Sequence, residues 1–96
     1  QADPSLLDLD GMDAELAARL VGCQVRSRDD LAELAVDELR AIMALPAERA
    51  RQLIDGGFAD VGDEDTRLIA EADEDHAKGL ILAARAHWFA EEGEQG

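Results

Sequence analysis

Residues 75–92 read DHAKGLILAARAHWFAEE, and they hold the only Trp and one of the two Phe residues of the chain. Apolar side chains recur through this stretch at the spacing of one helix face, at Ala77, Leu80, Ile81, Ala84 and Trp88. Asp73 precedes the stretch and has the acceptor side chain of a helix N-cap. The pattern predicts a closing amphipathic helix over residues 73–90, followed by a disordered acidic tail over residues 91–96.

The composition of the chain favours helices over strands. Its 96 residues suffice for one small domain or two minimal units packed together. Hydrophobic residues make up 47% of the chain, but aromatic residues make up only 3% and Tyr is absent. Ala, Leu, Ile and Val supply most of the apolar surface, which suits packing between helices. We therefore expect an all-α fold, a compact bundle of short helices.

Capping residues and turn residues divide the chain into segments. Asp13 and Ser27 are placed to begin helices, and Pro46 suits the first turn of another. The Gly pair at 56–57 marks the clearest loop. The sequence predicts a helix-hairpin-helix pair with a linker helix over residues 1–54, and an acidic insertion with a short helix over residues 55–72.

A weak internal repeat supports this organisation. Residues 42–54 read IMALPAERARQLI and residues 69–81 read IAEADEDHAKGLI, so that Ile, Ala and Leu-Ile recur in register. Residues 6–20 share the same succession of short apolar helix, tight turn and amphipathic helix. Because each such pair can hide its apolar stripe only against its neighbours, the repeat predicts a fold built from helix-hairpin-helix units.

The net charge of −14 restricts the possible partners. Residues 1–54 carry 6 basic and 11 acidic side chains, a net of −5, whereas residues 55–96 carry 3 and 12, a net of −9. Phosphate backbones and anionic membranes are bound through Lys and Arg, so we expect neither direct nucleic-acid binding nor membrane binding. Such a surface fits a basic protein partner, or mimicry of nucleic acid in a basic groove.

Cysteine usage and the termini bear on the cellular setting. The single Cys23 cannot form an intramolecular disulfide, which fits a reducing cytoplasm. No apolar run reaches the ~20 residues of a membrane span, and no signal-peptide pattern is present. Since the chain begins at Gln1 and its first Met is Met12, we expect it to be part of a longer cytoplasmic protein.

Three stretches resemble a known family. Residues 9–20 (LDGMDAELAARL), 28–39 (RDDLAELAVDEL) and 77–89 (AKGLILAARAHWF) are similar to the acidic C-terminal helix-hairpin-helix repeats of the bacterial transcription elongation and termination factor NusA. The ending Leu-Ile-x-Ala-Ala-Arg, followed by Trp-Phe and acids, is the most specific part. The chain departs from the family at Ala44 and Glu71, where a hairpin Gly is usual, and in the additional residues 55–72.

The resemblance implies a protein-binding module without catalysis or cofactors, acting in transcription termination and antitermination. In the family the last repeat contacts the C-terminal domain of the RNA polymerase α subunit. It also folds back on the parent's own RNA-binding S1 and KH domains and inhibits them, and other elongation factors are possible partners.

The candidate partner-binding residues are acids of the C-terminal half and one aromatic residue: Asp63, Glu64, Asp65, Asp73, Glu74, Asp75, Phe89, Glu91 and Glu92. Trp88 has two interpretations, as a core residue or, together with Phe89, as an anchor at an interface.

Two functions of other classes stay open at this point. The chain could be a structural spacer that sets the solubility and geometry of its parent. It could also be a DNA-binding helix-hairpin-helix domain, which the charge of −14 opposes. Enzymatic activity is not expected, because no catalytic constellation or phosphate-binding Gly-rich loop is present. A metal site is not expected either, because His76 and His87 would lie about 16 Å apart on one helix.

Overall fold

The structure is a computed structural model that describes the backbone of residues 3–95 and the side chains of residues 3–86. This part of the chain forms seven helices and no strand. The helices are α1 (Pro4–Leu7), α2 (Ala14–Gly22), α3 (Arg28–Ala32), α4 (Val36–Ala44), α5 (Ala47–Asp55), α6 (Asp63–Glu71) and α7 (Glu74–Gln95). The predicted all-α fold of short helices is confirmed.

The predicted N-caps begin their helices. The Asp13 carboxylate accepts a hydrogen bond from the Leu16 N–H (2.8 Å) at the start of α2. The Ser27 hydroxyl accepts from the Asp30 N–H (3.2 Å) at the start of α3, and Asp73 accepts from the His76 N–H (3.0 Å) at the start of α7. These side chains satisfy backbone donors that the first helical turn leaves without a partner.

The internal repeat has a structural counterpart with the same register. Helix α6 begins 27 positions after α4 (36 to 63), and α7 begins 27 positions after α5 (47 to 74). Two residues separate the helices in each pair. At equivalent positions, Glu38 accepts from the N–H of Ala35 (2.8 Å) and Asp65 accepts from the N–H of Gly62 (3.1 Å). Each acid thus closes the first turn of its helix from the third helical position.

The two copies of the repeat pack differently. Helix α4 contacts α5, whereas α6 and α7 make no helix–helix contact with each other in the described part of the chain. Instead, α6 packs against α4, and α7 packs against α3 and α4. Residues 55–72, predicted as an insertion, therefore supply a loop and a helix that covers one side of α4.

Helix α4 lies at the centre of the core. Its Leu39, Ala41 and Ile42 are fully buried, and α7 contributes the buried Ala77, Leu80, Ile81 and Ala84. The apolar face predicted for the closing helix is thus confirmed as far as Ala84. The helix continues to Gln95, beyond the predicted end at residue 90. The side chain of Trp88 lies outside the described residues.

None of the helices, over the residues described, combines the length and hydropathy needed to cross a bilayer.

Candidate functional site

The first acidic cluster begins helix α6. Asp63 and Glu64 are exposed, and they make no hydrogen bond or ion pair within the described residues. Asp65 differs, because its carboxylate forms an ion pair with the Arg49 guanidinium of α5 (Nη2–Oδ2, 2.7 Å). The hydrogen bonds from Arg49 and from the Gly62 N–H hold the pKa of Asp65 below its ordinary value. Asp65 therefore joins two helices, and Asp63 and Glu64 are left for a partner.

The second acidic cluster begins helix α7. Asp73 is committed to its capping hydrogen bond, and Glu74 lies 3.4 Å from the Lys78 ammonium one turn later. Asp75 is exposed and makes no such contact in the described part of the chain. Because an exposed pair of this kind contributes little stability, Glu74 and Asp75 are both available to a partner.

The two clusters lie near opposite ends of α6. Asp63 is its first residue, and Asp73 follows its last residue, Glu71, by two positions. At ~1.5 Å per residue, the length of α6 alone separates them by about 12 Å. Phe89, Glu91 and Glu92 have side chains outside the described residues.

A tertiary contact adds further acids to the second cluster. The Nε2 atom of His76 lies 2.9 Å from the carbonyl oxygen of Gly11, which is 65 positions away. A shallow cleft of about 180 Å³ lies here, and its lining includes Asp13, Glu15 and His76. Asp13, the N-cap of α2, and Glu15 in its first turn thus lie near the start of α7. No local sequence pattern predicts this contact.

Arginine side chains are directed towards the ends of neighbouring helices. Arg19 donates to the carbonyl of Leu45 (2.8 Å) after α4, and Arg40 donates to the carbonyl of Ala70 (3.0 Å) near the end of α6. Arg85 donates from Nε to the carbonyl of Ala32 (2.8 Å) at the end of α3. A cation is favourable at these positions because a helix C-terminus has free carbonyls and partial negative charge.

Most of the positive charge is consequently bound within the chain. Three arginines donate to helix ends, as described above. Three more basic side chains pair with acids: Arg49 with Asp65, Arg51 with Asp55 and Lys78 with Glu74. These make six of the nine Lys and Arg residues. The chain has 23 Asp and Glu residues against 9 Lys and Arg residues, and many of the acids are exposed. The resulting surface can attract a basic partner and repel a polyanion.

The repeat explains why one arginine, Arg67, makes no contact with a neighbouring helix in the described structure. Arg67 of α6 is the equivalent of Arg40 of α4, 27 positions earlier. Arg40 bonds the end of α6, which packs against α4. No further hairpin packs on α6 in the part of the chain described, and Arg67 is exposed.

Cys23 has the surroundings of a packing residue. Its thiol donates to the carbonyl of Ala47 (3.3 Å), and burial raises the pKa of the thiol above its ordinary value. A raised pKa reduces the fraction of reactive thiolate at neutral pH. Among the described residues, no group of three or more His, Cys, Asp and Glu side chains is arranged to hold a metal ion.

No protein-family model matches the sequence, and no solved structure matches the fold significantly.

Proposed function

We propose that the chain is an acidic protein-binding module of a bacterial transcription factor, and that it docks on basic protein surfaces. The observation that carries this proposal is that six of the nine basic side chains contact carbonyls or acids of the same chain, four of them through tertiary contacts and two, Arg51 and Lys78, through exposed pairs. Asp63, Glu64 and Asp75 are exposed and form no ion pair within the described residues. Such a field accelerates encounter with a basic partner and weakens as salt is added.

The resemblance to the NusA acidic repeats supplies the partners of the proposal. One is the C-terminal domain of the RNA polymerase α subunit, and the other is the RNA-binding face of the parent protein. An acidic module can inhibit an RNA-binding face by occupying the positions of phosphates. In this proposal the module acts in the cytoplasm, where it contributes to transcription termination and antitermination.

The DNA-binding alternative requires free backbone donors at the first hairpin. A hairpin that binds DNA offers N–H groups to a phosphate. In this chain the Met12 N–H donates to the Leu9 carbonyl (3.1 Å), and the Leu16 N–H donates to Asp13. The exposed Asp10 and Asp13 would also face the phosphate. These contacts favour a protein partner over DNA.

A titration tests the polymerase partner. The isotope-labelled chain is titrated with the isolated α C-terminal domain at about 50 mM and 500 mM salt, and amide chemical shifts are recorded. We expect shifts at an acidic cluster, with weaker binding at high salt because the Debye length shortens. No shift with about 1 mM partner would contradict the polymerase proposal.

A second measurement separates the autoinhibitory function from a spacer. The RNA affinity of the parent protein is measured with and without this module. A rise in affinity on removal is expected for an autoinhibitory module, whereas an unchanged affinity supports the spacer alternative.

A further inference from the structure

An apolar groove lies between α4 and α6 and is open to solvent. It has a volume of about 360 Å³, and the loop between α5 and α6 contributes Phe58 and Val61 to its lining. Phe58, Val61 and Ile69 form its apolar lining, and each is only partly buried. Because apolar surface in water is unfavourable, a groove of this kind gains free energy when another apolar group covers it.

The repeat shows that this apolar surface is covered elsewhere in the same fold. Ile69 of α6 is equivalent to Ile42 of α4, which is 0% exposed. Helix α4 is surrounded by α2, α5, α6 and α7, whereas α6 packs against α4 alone among the described helices and meets α5 only through the Arg49–Asp65 ion pair. No side chain of α6 is fully buried. Helix α6 thus has an apolar residue, Ile69, at the position that is buried in α4, but it lacks the surrounding helices that bury Ile42.

The charged residues around the groove indicate which kind of partner would fit it. Asp37 lines the rim, and Asp60 lies between Phe58 and Val61 in the loop; both are exposed. Asp63 precedes the rim residue Thr66 by three positions and so shares its face of α6. The Arg40 guanidinium is bonded to the carbonyl of Ala70. A second copy of the chain would bring another charge of −14, whereas a basic segment would complement the rim.

We propose that the groove between α4 and α6 receives the apolar side chains of a basic amphipathic helix from a partner protein. The apolar residues of that helix would cover Phe58, Val61 and Ile69, and its Lys or Arg residues would face Asp37, Asp60 and Asp63. This is recognition of a helix in a groove, with anchors spaced three and four residues apart. The inference rests on the proposed function and names the surface and the chemistry of its partner.

A pair of peptides provides the test. The first is an ~18-residue helix of Leu and Lys with Leu at i, i+3, i+4 and i+7, and the second has the same composition with Leu dispersed around the helix. Each is titrated into the isotope-labelled chain. We expect the patterned peptide to bind about tenfold more tightly and to shift the amides of Phe58, Val61 and Ile69.

Variants of equal charge locate the site. Thr66→Arg places a long cation at the groove rim, and Ala18→Arg places the same charge on an exposed position of α2, which has no contact with α6. Thr66→Arg should weaken the patterned peptide at least about fivefold, and Ala18→Arg less than twofold. Ala70→Arg, at another exposed rim position, repeats the test if Thr66→Arg does not fold.

Several results would overturn the groove proposal. They are equal affinity for the two peptides, shifts confined to residues outside the groove, no binding of either peptide, and a dimer of the chain that uses this groove. If the peptides show no preference while the α C-terminal domain still binds, only the groove proposal fails. If the patterned peptide binds the groove and the α domain does not bind, only the polymerase partner fails.

Discussion

The Arg49 guanidinium and the Asp65 carboxylate meet at 2.7 Å and join α5 to the first turn of α6. The Asp65 side chain is only 17% exposed, and it also accepts from the Gly62 N–H. Asp65 therefore fixes the first turn of α6 to α5, while the first two residues of that helix, Asp63 and Glu64, face solvent. The acidic cluster consists of two residues that can meet a partner and one that fixes their position.

The depressed pKa of Asp65 makes the stability of the fold depend on acid pH. Since the folded pKa lies below the unfolded value of ~3.9, the carboxylate stabilises the fold above that value. This stabilisation is lost as pH falls through the folded pKa. Asp65→Asn should lower the urea midpoint at pH 7, and the difference from the wild type should shrink below pH 4. The measurement is urea unfolding at pH 7, 5, 4 and 3.

The neighbouring Glu64 provides the control for this prediction. Glu64→Gln removes the same charge from an exposed side chain that makes no contact in the described structure. Its midpoint should follow the wild type at every pH. Equal behaviour of the two variants would show that overall charge, not the pair with Arg49, sets the acid dependence.

Two glycines should respond to alanine in opposite directions. Gly11 has a φ of +87°, and an added Cβ would lie 3.2 Å from Nε2 of His76. Gly11→Ala should therefore cost about 1–2 kcal/mol in the free energy of unfolding. Gly79 lies exposed within α7, where an added Cβ meets nothing within 4 Å. Gly79→Ala should stabilise the fold by about 0.5–1 kcal/mol.

Chemical denaturation of both glycine variants measures these changes. The two substitutions add the same methyl group, so a difference of sign reports backbone conformation and local space. A neutral Gly11→Ala would contradict the left-handed turn and its contact with His76.

The hydrogen bonds of Arg85 should contribute measurably to stability. Its Nε donates to Ala32, and its Nη2 lies 3.4 Å from the carbonyl of Leu34, so the side chain ties α7 to the end of α3. Arg85→Met keeps most of the aliphatic stem and removes the donors. Because bonds from a charged group contribute ~1.5–3 kcal/mol, we expect a loss of about 1–3 kcal/mol.

Arg67→Met is the matched control for Arg85→Met. It removes the same charge from an exposed residue without an intramolecular contact in the described chain. Its free energy of unfolding should change by less than about 0.5 kcal/mol. Thermal or urea unfolding compares the two, and equal losses would mean that the bonds at the end of α3 add nothing.

The features that the sequence predicted correctly are local ones. Asp13, Ser27 and Asp73 cap helices through bonds to residues three positions ahead, which depend on little beyond those residues. The buried positions Ala77, Leu80, Ile81 and Ala84 follow from helical spacing in the same way.

The features that were missed depend on the orientation of one helix relative to another. The contact of His76 with Gly11 joins residues 65 positions apart, and no local pattern encodes it. The separation of α6 from α7 could not be inferred, because the equivalent pair α4 and α5 is in contact. The ion pair of Asp65 with Arg49 depends on how α6 lies relative to α5. The sequence therefore could not distinguish Asp65 from the exposed Asp63 and Glu64.

The two acidic clusters should contribute unequally to binding of a basic partner. The double substitutions Asp63→Asn with Glu64→Gln, and Glu74→Gln with Asp75→Asn, each remove two of the negative charges, so both variants have the same net charge. Asp63 shares a helix face with the groove rim, whereas Glu74 and Asp75 begin a helix that makes no contact with α6 in the described structure. Exposed ion pairs contribute ~0.2–1 kcal/mol each.

The first double variant should therefore weaken the patterned basic peptide about two- to tenfold, and the second less than twofold. Titration calorimetry at about 50 mM salt measures both, and repetition at 500 mM should bring the affinities together because exposed charges are screened. Equal weakening at low salt would show that the partner responds to net charge alone. A larger loss at Glu74 and Asp75 would instead move the docking surface to the cleft beside His76, where Asp13 and Glu15 extend the acidic surface.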